Sequence, residues 1–196
     1  MKYVAALFLF SFIPGCTAMK SHERVDITNT VRAGGPVINV VHVIESIDGP
    51  GVVAALDFFK HASGPVVLVF RSMGGSVYGG LELLRAMEEY PHPIICRVDV
   101  AMSMGAVLTS ACTTRVGLPR TIMMMHGASG RSGGKAGDLQ TDSDHLRVIS
   151  LALGRQFCRR LKISQADCMA KFAGNKEWFF DAEEALAVGA IDHIAR

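Results

Sequence analysis

The chain has 196 residues, a formal net charge of +2, 19% charged residues and 49% hydrophobic residues. That length fits one domain, and the near-balanced charge, with no basic run interleaved with aromatics, gives no case for nucleic acid or an acidic partner. Five cysteines occur without a Cys-x-x-Cys pair, so neither a zinc site nor a redox motif is suggested, and no metal or cofactor is expected.

The first stretch reads as separate from the domain. Met1-Lys2 followed by Val4 to Ile13 makes a short positive region and an apolar core too short to span a bilayer. It ends at Ile13-Pro14-Gly15-Cys16, which resembles the lipobox of bacterial lipoproteins, in which Cys16 would carry the lipid and become the mature N-terminus. Ordinary signal cleavage after Ala18 and a retained anchor are the other readings, and each exports the domain. The expected organisation is a signal segment over 1–18, a polar tether without apolar periodicity over 19–36, and a domain over 37–196. The expected place is the periplasm or a lipoprotein's membrane surface, with membrane contact only through the lipid.

Within the domain, Val37 to Ile44 is an apolar run bounded by Gly and Pro, a buried strand. Gly51 to Lys60 has a helical period at Val52, Val53, Leu56 and Phe59. Val66 to Phe70 is a second buried strand. Gly79 to Tyr90 carries Leu81, Leu84 and Met87 at helical spacing, with Pro91 after its end. Ile94 to Val100 is a third strand, a Ser103 turn leads into an apolar helix over Ala106 to Ala111, and Arg120 to Met125 is a further strand ending at His126. Such alternation predicts an α/β fold with a mainly parallel sheet covered by helices. The Gly- and Ser-rich stretch Gly127 to Gly137 reads as a loop. A long helix follows from about Thr141 to Leu161, then short helices near Gln165 to Phe172 and Ala182 to Val188.

The chemistry gathers at predicted strand ends. Ser103 needs a base to become a nucleophile, and His126 closes the next strand; the plain alternative for Ser103 is a helix N-cap. Gly74-Gly75 follows the Val66 to Phe70 strand. A glycine turn there lets substrate backbone approach, and its N–H groups, with that of Met104, suit the oxyanion of a tetrahedral intermediate. The Walker spacing is absent, so no ATPase is encoded.

Met73-Gly74-Gly75-Ser76, Ala101-Met102-Ser103-Met104-Gly105-Ala106 and Met124-Met125-His126 resemble the three signatures of the Clp protease proteolytic-subunit family. Phe179-Phe180-Asp181-Ala182-Glu183-Glu184-Ala185 through Val188-Gly189-Ala190-Ile191-Asp192 resembles its C-terminal motif. The resemblance runs from about Val37 to the C-terminus. It implies a crotonase-like fold, Ser103 as nucleophile, His126 as general base, the N–H groups of Gly75 and Met104 as the oxyanion hole, and a protruding handle helix that packs between subunits of a homo-oligomer. Peptides or unfolded chains are the implied substrates, and an export signal would separate the protein from ATP-driven unfoldases.

Glu177 stands where that family has its catalytic Asp, and Met73 replaces a Pro. A carboxylate that orients the base can be Glu, with a longer reach that bears on activity. Asp138, Asp142 and Asp144 are the alternative carboxylates, although Thr141 and Asp144 also resemble a capping box. A catalytically weak or inactive peptide-binding relative is therefore a second expectation. An α/β-hydrolase esterase using Ser103 and His193 is a third, and an acyl-CoA enzyme is disfavoured by export. With Cys16 set aside, Cys158 and Cys168 flank the turn Leu161 to Ser164 and form the favoured disulfide, whereas Cys96 is expected to be buried and inert in its strand.

Overall fold

A computed structural model describes residues 41–173 and 176–195. The signal segment, Cys16 and the tether lie outside the described residues. Six strands form one sheet, with β1 (Val41–Ile44), β2 (Val66–Ser72), β3 (Ile94–Met102) and β4 (Thr114–His126) in parallel succession. Two further strands were not foreseen. β5 (Glu177–Asp181) runs antiparallel to the second half of β4, and the two-residue β6 (His193–Ile194) pairs with its first half. β4 also begins at Thr114, six residues before the expected Arg120 (120 − 114). Pro119 and Arg120 lie exposed in its middle and interrupt the apolar run that marked the strand.

The helices fall in the expected order, with several ends shifted. α1 (Gly49–His61) starts earlier than expected because the Asp48 carboxylate accepts the Gly51 N–H at 3.0 Å and Pro50 suits the first turn. α2 (Val77–Glu89) is capped by Ser76, whose Oγ accepts the Gly79 N–H. α3 (Met104–Leu108) continues as a short 3-10 turn over Thr109–Ala111. α4 (Ala136–Cys158) starts five residues before Thr141 (141 − 136). Its start is capped by Asp138, which accepts the Lys135 N–H at 2.9 Å, so Thr141 is an interior residue bonded to the Gly137 carbonyl. α5 (Gln165–Lys171) and α6 (Ala182–Val188) complete the domain. No helix among the described residues is long and apolar enough to cross a membrane.

The core lies between the sheet and its helices, and Leu68, Phe70, Met123, Met125 and Phe157 are essentially inaccessible. Phe157 of α4 stacks on Phe180 of β5 at 6.2 Å, and Trp178 meets Phe180 edge-on at 4.8 Å. Those rings clamp β5 to the sheet through apolar burial and edge-to-face contact.

Two disulfides among the described residues pin the fold. Cys158–Cys168 joins the end of α4 to α5, as expected. The expectation for Cys96 is corrected: it is bonded to Cys112, with the two Cα atoms 5.8 Å apart. β3 and the residue after the 3-10 turn converge in the tertiary structure, which their 16-residue separation does not announce.

An ion pair ties the segment around Asp192 to β4. The Arg115 side chain is 4% exposed and donates through Nε and Nη2 to Asp192, at 3.1 and 2.6 Å, while the Arg115 backbone N–H donates to the same carboxylate at 2.7 Å. Burial raises the Asp192 pKa, but the Arg115 bonds and the charges of Arg115 and Arg160 outweigh it and hold the carboxyl below its usual range. A folded-state pKa below the unfolded value of about 3.9 contributes stability above that pH and loses it as pH falls through the depressed value. Asp192→Asn should cost about 2–3 kcal/mol at neutral pH, since it strands a buried guanidinium beside a partner that is partly solvated. Thermal melts of wild type and variant at pH 7 and below pH 4 check this: the gap should narrow in acid, and a gap independent of pH would refute the linkage.

Candidate active site

Ser103 stands between β3 and α3 with φ 53° and ψ −122°, the only non-glycine residue with positive φ among those described. Such a backbone costs about 1–3 kcal/mol and persists only where its surroundings impose it. Two contacts do so. The Ser103 N–H donates to the Met124 carbonyl at 2.8 Å, tying the turn to β4. Its carbonyl accepts from Ala106 and Val107, at 3.0 and 3.2 Å, starting the helix. The Ser103 side chain makes no helix-capping bond. Its Oγ instead lies 2.8 Å from His126 Nε2. Ser103 thus holds the N-cap position of α3 without using its side chain as the cap.

His126 is the last residue of β4, one pleat beyond Met124, which is in register with Met102. That register explains how a residue just past β3 meets one 23 positions later. The hydrogen bond joins a nucleophile type to a base type at the distance proton transfer needs.

The glycine turn forms a third side. Gly74 and Gly75 have φ of 101° and 147°, open to glycine and strained for other residues. A Cβ at Gly74 would lie 2.8 Å from Ser103 Cβ and 3.3 Å from the Met104 nitrogen. A Cβ at Gly75 would fall 2.3 Å from the Ile47 carbonyl oxygen. The turn is thus pressed against the nucleophile on one side and held by Ile47 on the other. Ile47 donates to the Gly74 carbonyl at 3.3 Å and accepts from Ser76 at 2.6 Å. Those bonds use the groups flanking the Gly75 N–H and leave that N–H out of the bridge. Met104 opens α3, where a backbone N–H has no intrahelical partner. Ile47 was missed as a site residue, because nothing in Glu45-Ser46-Ile47-Asp48 signals a bridge to a distant turn.

Glu177 pairs directly with His126 across the antiparallel β4–β5 ladder. Directly opposed residues project from the same face with Cβ atoms roughly 5 Å apart. The Glu177 side chain is exposed, and among the described residues no hydrogen bond joins a carboxylate to the other imidazole nitrogen. The alternative carboxylates are engaged elsewhere: Asp138 caps α4, Asp142 accepts from Ser132 Oγ, and Asp144 pairs with Arg147 and accepts from Gln140. His193 is in register with Val116, ten residues before His126 on β4 (126 − 116), and is not brought to Ser103. Among the described residues no cluster of His, Cys, Asp and Glu is arranged to hold a metal.

A mainly parallel sheet with helices, a glycine turn and a serine presented at the end of its third strand define an α/β domain of the crotonase-like kind. Residues 29–196 match the Clp protease family, and the chain belongs to it. It is 33% identical over 135 residues to an ATP-dependent Clp protease proteolytic subunit 2 of Thermobifida fusca, a stretch covering 66% of this chain and 64% of that subunit. It is 29% identical over 132 residues to a subunit 2 of Tropheryma whipplei, covering 66% and 72%, and 28% identical over 154 residues to one of Synechococcus sp., covering 75% and 77%. The chain therefore spans less than two thirds of the Thermobifida subunit's length. The family is one of serine peptidases.

Proposed function

We propose that the chain is a serine peptidase that hydrolyses peptides or unfolded chains through an acyl-enzyme, without an ATPase partner. The observation that carries this reading is the 2.8 Å bond between Ser103 Oγ and His126 Nε2, made by a strained-turn serine whose side chain caps nothing. In this mechanism His126 Nε2 takes the hydroxyl proton as Oγ attacks the scissile carbonyl. The resulting oxyanion accepts from the N–H groups of Gly75 and Met104. His126 then passes its proton to the leaving amine, and water activated by His126 releases the acyl group from Ser103. Glu177, opposite His126, is the group for orienting the imidazole.

Export as a signal-bearing, lipid-anchored protein is part of the proposal. Support comes from the N-terminal pattern ending at Cys16 and from two disulfides, a form of crosslink that persists in oxidising compartments. There the enzyme would meet chains already unfolded or short. The largely unburied first part of α4 suits self-association into a homo-oligomer. A second reading, a peptide-binding relative with weak or no catalysis, is favoured by one observation: no described carboxylate bonds the second nitrogen of His126.

The test is reaction of the full chain with a fluorophosphonate probe in the absence of ATP. Wild type should label, Ser103→Ala should not, and His193→Ala should label like wild type. A folded, disulfide-intact wild type that does not label overturns the peptidase reading in favour of the binding one. Loss of labelling in His193→Ala, with labelling kept in His126→Ala, would bring back the esterase.

A further inference from the structure

We propose that the Tyr78–His145 hydrogen bond is a positioning latch for the Ser103 site, holding the handle helix and its loop at a set distance from the glycine turn. The inference rests on the reading of that site as a peptide groove. Tyr78 is the second residue of α2, three residues after Gly75, and its hydroxyl lies 3.0 Å from His145 Nε2 on α4, with ring centroids 6.4 Å apart. The two residues are 67 positions apart in sequence.

The α2 side of the latch is tied down by close contacts. Ser76 caps the helix, Ile47 brackets Gly75, and Gly80 packs so closely on Met104 that a Cβ there would sit 2.3 Å from that side chain. The α4 side is not. Every buried residue of this 23-residue helix lies at or beyond Leu153. Ahead of that point, three hydrogen bonds among the described residues reach α4 from beyond its own cap. Ser150 accepts from the Ala128 N–H at 2.8 Å, Asp142 accepts from Ser132, and His145 meets Tyr78. The first two come from the loop that follows His126 and travel with it. Ile149 adds a half-buried apolar contact with the core, and among the described hydrogen bonds only that of Tyr78 reaches this part of α4 from α2.

The loop and the first part of α4 therefore form one wall beside His126, and the glycine turn forms the other beside Ser103. Tyr78–His145 spans them. Both partners are exposed, Tyr78 at 63%, so the bond adds little to global stability. Its consequence is local, because poorly packed segments open at low free-energy cost and one added bond shifts that equilibrium measurably. A peptide that touches both walls would sense the loss, whereas a small acylating reagent at Ser103 would not.

The experiment uses the full-length chain with Tyr78→Phe, His145→Ala and His145→Gln; the glutamine keeps a hydrogen-bonding group for Tyr78. Amide hydrogen exchange over 128–152 is expected to quicken about fivefold in the first two variants, the factor one neutral hydrogen bond commands, and to return to the wild-type rate in the third. With fluorescein-labelled casein, KM should rise about fivefold in the same two variants. kcat and the fluorophosphonate labelling rate should stay within about twofold, and glutamine should restore KM. Unchanged exchange in Tyr78→Phe and His145→Ala overturns the latch, as does an unchanged KM in a chain that cleaves casein. Faster exchange reversed by glutamine, in a wild type that neither labels nor cleaves, upholds the latch and removes the peptidase reading alone.

Discussion

Replacing His126 by Ala should slow fluorophosphonate labelling by roughly 10³–10⁴, and Ser103→Ala should abolish it. The size follows from what the 2.8 Å bond does. An alcohol stays protonated at neutral pH, so without an acceptor at hydrogen-bond distance the nucleophile is almost absent. Because the two residues act as one unit, the double variant should be no worse than Ser103→Ala. Glu177→Ala reports on the third member. The carboxylate is exposed and opposite the imidazole rather than bonded to it in the free protein, so about a tenfold loss is expected, with Glu177→Asp at least as active as wild type. A His126→Ala chain that labels at the wild-type rate would mean that another group activates the serine. These rates are measured by stopped labelling and gel fluorescence on proteins whose melting temperatures match.

Breaking both disulfides should remove about 5–6 kcal/mol of stability, much of what a domain of this size possesses. Cys96–Cys112 and Cys158–Cys168 span 16 and 10 residues, and closing loops of that length restricts the unfolded chain by about 3 and 2.7 kcal/mol. All four cysteines are 2% exposed or less, so a reductant reaches them mainly when the domain opens. Urea unfolding with and without dithiothreitol, beside Cys96→Ser/Cys112→Ser and Cys158→Ser/Cys168→Ser, separates the two contributions. Midpoints that do not shift on reduction would contradict a structural role for the crosslinks, and would weaken the case for an oxidising compartment.

Much of this was legible in the residues. Four parallel strands and their helices follow from apolar runs and helical spacing, because burial on both sheet faces demands continuous Val, Ile and Leu while a covering helix needs only one stripe. Phe180 and Trp178 were harder. β5 alternates exposed and buried residues over only five positions, too short to distinguish from a loop, and it becomes a strand because β4 offers a free edge and Phe157 a ring to stack on. β6 has two residues and no signal of its own; backbone pairing with β4 and the Arg115–Asp192 ion pair define it.

The site divides in the same way. Residue type and position at strand ends determined by themselves that Ser103, His126 and the Gly74-Gly75 turn belong together, since parallel strands deliver their C-terminal ends to one edge. Tertiary structure alone decided the rest. It turned Ser103 away from capping and onto His126, left His193 at the far end of β4, placed Glu177 across from the imidazole without bonding it, joined Cys96 to Cys112, and brought Tyr78 to His145. Each of these depends on register and on helix placement, which are settled by long-range packing rather than by anything within a few residues of the side chain concerned.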